Sequence, residues 1–199
     1  MKPVVTLSSL LLSGFAAAQW VQSKPFHLVL HSSDRYLDGK NLTACHTGAA
    51  IESLCLTNGG GSTFYLNTTE GAQSPLKGYE PSGILVWNLP IKPSPYSESM
   101  RFSVEPSSNV ALPLFIPGPS SQYVTFNEYG RLAILSYIDD TRSPPRGGLL
   151  RSLKNWYICQ TYYSGYTYQT LAWVLGGSNA KPQNPSCRKI VLQRQFVDI

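Results

Sequence analysis

Short stretches of alternating hydrophobic and polar residues run through most of the chain. In residues 26–31, the hydrophobic Phe26, Leu28 and Leu30 occupy every second position. A period of two indicates a strand with one buried face. The same reasoning predicts further strands at 63–66, 84–89, 101–104, 111–116, 123–126, 132–138 and 188–197. Pro113 falls inside one of these, which favours an edge strand or a bulge at that place.

The clearest predicted hairpin lies late in the chain. Residues 156–163 and 166–175 flank the dipeptide Ser164-Gly165. A two-residue connection that contains glycine is typical of the tight turns that join antiparallel strands. We therefore expect these two segments to pair directly.

The spacing of the strands predicts the fold class. Strands recur every 10–15 residues and are separated by turns rich in proline and glycine. This pattern favours an all-β, single-domain antiparallel β-sandwich or barrel, with the strand order left open. We expect at most one short helix, and Thr47–Leu54 is the best candidate for it.

The first 18 residues have the features of a secretory signal peptide. A basic start at Lys2 is followed by an apolar run over 4–12 and by small residues at 16–18. That run is too short for a membrane span, which needs about 20 apolar residues. We therefore expect residues 1–18 to be removed and 19–199 to form one secreted β-rich domain.

Cysteines and glycosylation motifs agree with export. The chain has four cysteines, and an even number suits disulfide bonding outside the cytosol. Of the three possible pairings we favour Cys45–Cys55 with Cys159–Cys187, because each bond then closes one local unit. Asn41 and Asn67 each begin an acceptor sequon and are the predicted glycosylation sites.

The charge is mildly basic. Lys2 is the only charged residue among the first 18, so residues 19–199 carry 15 basic and 11 acidic side chains, a net charge of +4. Such a balance could favour an anionic surface. The basic residues are scattered, however, and no nucleic-acid-binding motif is present. We expect neither a nucleic-acid partner nor a membrane span.

Residues suited to catalysis are sparse. The three histidines, His27, His31 and His46, lie at a spacing that is not typical of a metal site. Carboxylates are scattered, and no pair has a spacing that indicates a glycosidase. We therefore predict no catalytic residue, no metal and no cofactor, although folding could still bring two carboxylates together.

Aromatic residues are concentrated in the late hairpin. Tyr162, Tyr163, Tyr166 and Tyr168 surround its turn and are the candidate ligand-binding residues. A tyrosine has a flat apolar ring and a polar tip, which suits the faces of sugars and protein interfaces. Packing between the strands would explain the same residues. Trp156 and Trp173 are expected in the core.

Several segments resemble a known family. They are Phe26-His-Leu-Val-Leu-His-Ser-Ser, Leu42 to Leu56, Asn155-Trp-Tyr-Ile-Cys, Leu171-Ala-Trp-Val-Leu-Gly and Asn184-Pro-Ser-Cys. Together they resemble an uncharacterised family of small secreted ascomycete proteins, and more weakly the fungal phialide-type cell-wall proteins. The resemblance implies a secreted β-domain, either wall-associated or released, and supplies no functional residues.

Three functional hypotheses follow from these observations. The first is a non-enzymatic secreted fungal protein, cell-wall-associated or acting extracellularly as an effector or elicitor. The second is a carbohydrate-binding module that uses the tyrosine-rich hairpin, and the third is a hydrolase with an unrecognised site. The expected partners are a wall polysaccharide or a host extracellular protein.

Overall fold

The structure, a computed structural model, describes residues 19–197, so the predicted signal peptide lies outside the described residues. Within that range the chain forms β-strands and no helix. The strands are β1 (Trp20–Gln22), β2 (Phe26–His31), β3 (Asn41–Gly48), β4 (Ile51–Thr57), β5 (Phe64–Thr69), β6 (Gly83–Leu89), β7 (Tyr96–Ser103), β8 (Val110–Ile116), β9 (Tyr123–Phe126), β10 (Leu132–Asp139), β11 (Arg146–Leu153), β12 (Trp156–Tyr163), β13 (Tyr166–Val174), β14 (Arg188–Lys189) and β15 (Val191–Phe196). The all-β prediction is confirmed.

Eight of the strands close into an antiparallel barrel. The order around it is β2, β3, β4, β13, β8, β7, β6 and β5, and β5 pairs with β2 to complete the ring. The remaining strands extend this sheet: β1 lies on β5, β15 on β2, β9 to β11 beyond β6, and β12 and β14 beyond β13. Of the two expected architectures, the protein therefore adopts the barrel.

Side chains fill the core of this sheet. Phe26, Leu28 and Leu30 are fully buried, as their alternation predicts. The rings of Phe64 and Phe115 stack at 5.6 Å between centroids. An eight-stranded barrel is just wide enough for its own side chains, so grooves that could hold a ligand are expected on its outside.

The two tryptophans lie in the core, as predicted. Trp156 is fully buried and Trp173 is 5% exposed, and their rings meet edge to face at 4.7 Å. The Trp156 Nε1 donates a hydrogen bond to the Leu132 carbonyl at 3.1 Å, so its one polar group is satisfied. This anchors the start of β12 against β10.

The expectation of at most one short helix is confirmed for residues 19–197, but its candidate, Thr47–Leu54, is not helical. These residues form the end of β3, the turn at 49–50 and the start of β4, with Gly48 opposite Ile51 in register. Ala50 adopts a φ of 51°, which suits a turn and not a right-handed helix. A helix of about two turns is marginal by itself, whereas the hairpin pairs from Asn41–Thr57 to Gly48–Ile51, with one irregularity at Thr47.

The expectation that Pro113 marks an edge strand or a bulge is also wrong. Its strand, β8, has neighbours on both sides. One neighbour is β7, in which Phe102 lies opposite Pro113. On the other side β13 pairs with Val110 and Ala111, while β4 pairs with Leu114 and Phe115. Pro113 lies where the partner changes, so its missing N–H interrupts no ladder there.

The late hairpin forms as predicted. Tyr163 lies opposite Tyr166, so Ser164 and Gly165 alone make the turn. Their φ values are 48° and 89°. Positive φ at both central residues matches the type I′ turn, whose twist fits that of the flanking strands.

Among residues 19–197, no helix is long and apolar enough to cross a membrane.

Candidate binding groove

A groove of about 600 Å³ lies beside the distal half of the late hairpin. One wall is formed by β12 from Gln160 to Tyr163, and the other by the end of β7 and the connection to β8. We call this the tyrosine groove. Val110 and Leu112 of β8 contribute apolar surface, while Ser103, Glu105, Ser108, Gln160 and Asn184 contribute polar atoms.

The β12 wall is open because β12 has only a short partner on its outer side. β14 pairs with it at Tyr157 and Ile158 and goes no further. At Gln160 the loop before β14 provides the hydrogen-bond partners of β12 instead. The Gln160 N–H donates to Ser186 Oγ at 2.9 Å, and Asn184 Nδ2 donates to the Gln160 carbonyl at 2.8 Å. Beyond this point the β12 edge faces the groove.

A disulfide holds that loop in place. Cys159 is bonded to Cys187, one residue beyond Ser186. Cys159 is fully buried and Cys187 is 9% exposed, within a small cluster that includes Tyr157, Ala172 and Val174. The covalent bond therefore positions Asn184 at the groove. The second disulfide joins Cys45 to Cys55 across β3 and β4, so the structure has both favoured pairings.

The opposite wall is braced against the same loop. Asn109 donates its N–H to Gln183 Oε1 at 2.6 Å and its Nδ2 to the Lys181 carbonyl at 2.8 Å. Gln183 returns its N–H to Asn109 Oδ1 at 2.9 Å. These three hydrogen bonds join the β7–β8 connection to the loop that carries Asn184. Both walls are thus part of one rigid frame.

The four candidate tyrosines separate into two pairs. Tyr162 and Tyr163 line the groove, and Tyr162 is 72% exposed. Tyr163 also lines an adjoining groove of about 480 Å³. Tyr166 and Tyr168 stack on each other at 5.8 Å, and Tyr166 meets the His46 ring edge to face at 5.6 Å. Half of the candidate set therefore reaches the groove.

Several residues of the groove could not be predicted from the sequence. Glu105, Ser108 and Asn184 lie in loops far apart in the chain, and the fold brings them to β12. No functional motif marks Glu105 or Ser108, and Asn184 lies in a segment quoted above only for the family resemblance. The only sequence signal near them is Cys187, because a disulfide to β12 implies that its neighbours lie beside that strand.

The barrel also encloses a pair of carboxyl groups. Glu98 is fully buried and Glu52 is 6% exposed. Outside this pair, Glu52 Oε2 and both carboxyl oxygens of Glu98 have no hydrogen-bond partner. Burial raises the pKa of Glu98 to about 8, and a hydrogen bond and the negative charge of Glu52 act in the same direction. Neither side chain lines the tyrosine groove.

The histidines lie apart from one another. His27 Nδ1 is 3.0 Å from the Ser62 carbonyl, His31 Nδ1 is 3.8 Å from Asp38 Oδ1, and His46 contacts Tyr166. Among residues 19–197, no group of three or more histidine, cysteine or acidic residues is arranged to hold a metal ion.

Both predicted glycosylation sites lie on strands and are half-buried. Asn41 begins β3, and its Nδ2 donates to the Gly59 carbonyl at 3.1 Å. Asn67 lies in β5, and its Oδ1 accepts a hydrogen bond from Gln22 Nε2 at 3.0 Å. Their glycosylation stays a prediction.

Comparison with known proteins places the chain by family alone. A family model described as a domain of unknown function, DUF7907, matches residues 23–196. No curated protein and no solved structure matches the chain.

Proposed function

The chain belongs to the DUF7907 family, and we propose that it is a secreted, non-enzymatic fungal protein that binds a cell-wall polysaccharide in the tyrosine groove. The two disulfides support secretion, because such bonds persist in oxidising compartments. The resemblance of the sequence to secreted ascomycete proteins supports the fungal wall as the setting. The groove supports the ligand class.

The exposed ring of Tyr162 is the observation that carries the proposal. It is 72% exposed at the edge of a concave surface. Around it lie hydroxyl and amide groups of Ser103, Ser108 and Asn184. A saccharide needs an apolar surface for the faces of its rings and hydrogen-bond partners for its hydroxyl groups. The tyrosine groove offers both within one volume.

A saccharide fits this surface better than a protein partner does. The groove volume of about 600 Å³ lies in the range of small-molecule pockets. A stable protein partner would need a contact of roughly 800 Å² on this side, most of which would lie outside the groove. We therefore favour the wall polysaccharide over the host extracellular protein.

The number and the position of the carboxyl groups support binding without hydrolysis. Hydrolysis of a glycosidic bond commonly uses two carboxyl groups that flank it. Among the lining residues, the tyrosine groove has one, Glu105. The pair that folding does bring together, Glu52 and Glu98, is buried inside the barrel, where a polysaccharide has no room.

Binding to insoluble chitin, β-glucan and cellulose tests the proposal. The protein is incubated with each polymer at low and high salt, and the bound fraction is measured over a range of polymer concentrations. We expect retention on at least one polymer that survives high salt. Replacing Tyr162 with alanine should weaken it about fivefold, because a lost ring contact costs about 1 kcal/mol.

Tyr129→Ala is the matched control. Tyr129 is 63% exposed but does not line the groove, so its removal should leave retention unchanged. Unaltered retention of Tyr162→Ala would contradict the proposal. Retention that disappears at high salt would show that only the net positive charge was acting. Absence of retention on all polymers would point to a protein partner instead.

A further inference from the structure

A second cavity lies away from the tyrosine groove and has a different chemical character. Its volume is about 570 Å³. It forms where the end of β2, the β11–β12 connection, the loop after β13 and the β14–β15 junction meet. Two lysines, Lys154 and Lys189, a histidine, His31, and four serines contribute its polar lining. No carboxylate is among the residues that line it.

Within residues 19–197, no carboxylate neutralises the positive charge of either lysine. Among the described residues, neither Lys154 nor Lys189 forms an ion pair or a side-chain hydrogen bond. Lys154 is half-buried, and its Nζ lies 6.0 Å from the centre of the Tyr79 ring. Asp38 does not line the cavity, but its Oδ1 lies 3.8 Å from His31 Nδ1 and accepts a hydrogen bond from the Ser32 N–H at 3.0 Å. The cavity therefore favours an anion.

Two of the four serine hydroxyl groups already accept a hydrogen bond from the protein. Ser152 Oγ accepts a hydrogen bond from Tyr79 Oη at 2.6 Å, and Ser32 Oγ accepts one from the Asp34 N–H at 3.1 Å. A hydroxyl that already accepts keeps its proton for another acceptor. Both groups can therefore donate to an oxygen atom in the cavity.

A buried asparagine holds the walls of this cavity together. Asn155 is 2% exposed. Its Nδ2 lies 3.1 Å from the Val174 carbonyl, 3.2 Å from that of Gly176 and 3.0 Å from that of Gly177. These contacts tie the loop that carries Ser178 to the connection that carries Lys154. The arrangement is thus formed before any ligand arrives.

We propose that this cavity binds a phosphate or sulfate monoester of sugar size. Two ammonium groups and serine donors match a tetrahedral oxyanion, which carries one negative charge in a sulfate monoester and up to two in a phosphate monoester. A volume of about 570 Å³ leaves room for the group that carries the oxyanion. The site is separate from the tyrosine groove, so it stands whether or not that groove binds a polysaccharide.

Calorimetric titration at constant ionic strength tests the proposal. The probes are glucose 6-phosphate, glucose 6-sulfate, inorganic phosphate, inorganic sulfate and uncharged glucose. We expect at least one ester to bind more tightly than its inorganic anion, and glucose to bind weakly or not at all. Lys154→Gln and Lys189→Gln should each weaken ester binding about tenfold, as expected for a charged hydrogen-bond donor, and Lys154→Arg should restore most of it.

Lys92→Gln is the matched control, because it removes one exposed positive charge outside the cavity. Equal losses for Lys92→Gln and Lys154→Gln would overturn the site in favour of general charge attraction. Wild-type affinity in both Lys154→Gln and Lys189→Gln would overturn it outright, as would absence of binding for every anion. If the esters bind no more tightly than their inorganic anions, the inference that the ligand has the size of a sugar is overturned.

Discussion

Glu98 is the residue whose acid–base chemistry the fold changes most. It is fully buried beside Glu52. A protonated Glu98 can donate a hydrogen bond to the Glu52 carboxylate, whereas two carboxylates at this place would repel each other without solvent to screen them. The folded protein therefore favours the protonated form.

This preference makes stability depend on pH. The pKa of Glu98 rises from its ordinary 4.5 to about 8 in the folded state. Between these values the folded chain holds a proton that the unfolded chain has lost, so the free energy of unfolding falls as pH rises. The contribution of Glu98 is fully present below pH 4.5 and is lost as pH passes through about 8.

Glu98→Gln should remove this dependence. A glutamine amide can still donate to Glu52 but has no proton to lose. Urea unfolding at pH 4.5, 6 and 8 should show that the variant loses less stability with rising pH than the wild type, and that it exceeds the wild type at pH 8. Glu128→Gln, which alters an exposed carboxylate, should follow the wild type. Parallel pH profiles for Glu98→Gln and the wild type would contradict this account.

At the scale of single residues, some features could be predicted from the sequence and others could not. The alternation around Leu28 and the burial of Trp156 follow from pattern and size. The meeting of Glu52 and Glu98 does not, because they are brought together by β4 and β7, which are both neighbours of β8. No local feature of either glutamate indicates that it is buried.

The late hairpin and the loop bonded to it form the element on which the groove depends. β12 supplies Tyr162, and the Cys159–Cys187 bond holds the loop that supplies Asn184. The Cys45–Cys55 bond lies in the β3–β4 hairpin and touches neither wall. The two disulfides are therefore expected to differ in their effect on ligand binding.

Removing each disulfide in turn tests this difference. Cys159→Ala with Cys187→Ala, and Cys45→Ala with Cys55→Ala, should each lower the free energy of unfolding by about 2–4 kcal/mol. Only the first pair should also weaken retention on the polysaccharide, because Asn184 then loses its fixed position beside Gln160. Equal retention by both double variants, measured below their melting temperatures, would contradict the role given to the loop.

Predictions at the level of elements succeeded where the signal is local. The turn at Ser164-Gly165 is encoded by adjacent residues, and the structure has it. Thr47–Leu54, the candidate helix, belongs to a hairpin instead. There β3 pairs with β4, and both strands are part of the barrel. Pairing with distant strands therefore determines the structure of this segment, and the local sequence does not indicate that pairing.

Closure of the barrel is the property of the whole molecule that the sequence left open. β5 pairs with β2 to close the ring, with Phe64 opposite Phe26, and β15 adds to the same strand, with Phe196 opposite Phe26. Such pairing joins residues far apart in sequence, and periodicity cannot indicate it. Strand order therefore emerged only with the structure.

Truncation from either end tests how far the barrel depends on the strands added to it, β15 on β2 and β1 on β5. Removing residues 191–199 deletes β15, including the fully buried Leu192, and exposes the edge of β2. We expect the truncated protein to lose cooperative thermal unfolding. Removing residues 19–22, which end with the exposed strand β1, should leave a cooperative transition. A cooperative transition of similar midpoint without β15 would show that the barrel does not need it.

The most direct measurement is a nuclear magnetic resonance titration of the labelled protein. A soluble oligosaccharide of the retained polymer is added, and the amide shifts are followed. We expect the largest shifts at residues 103–108 and 160–164 and at Asn184, which form the two walls of the tyrosine groove. Largest shifts around His46, Tyr166 and Tyr168, or no shifts at saturating sugar, would contradict it.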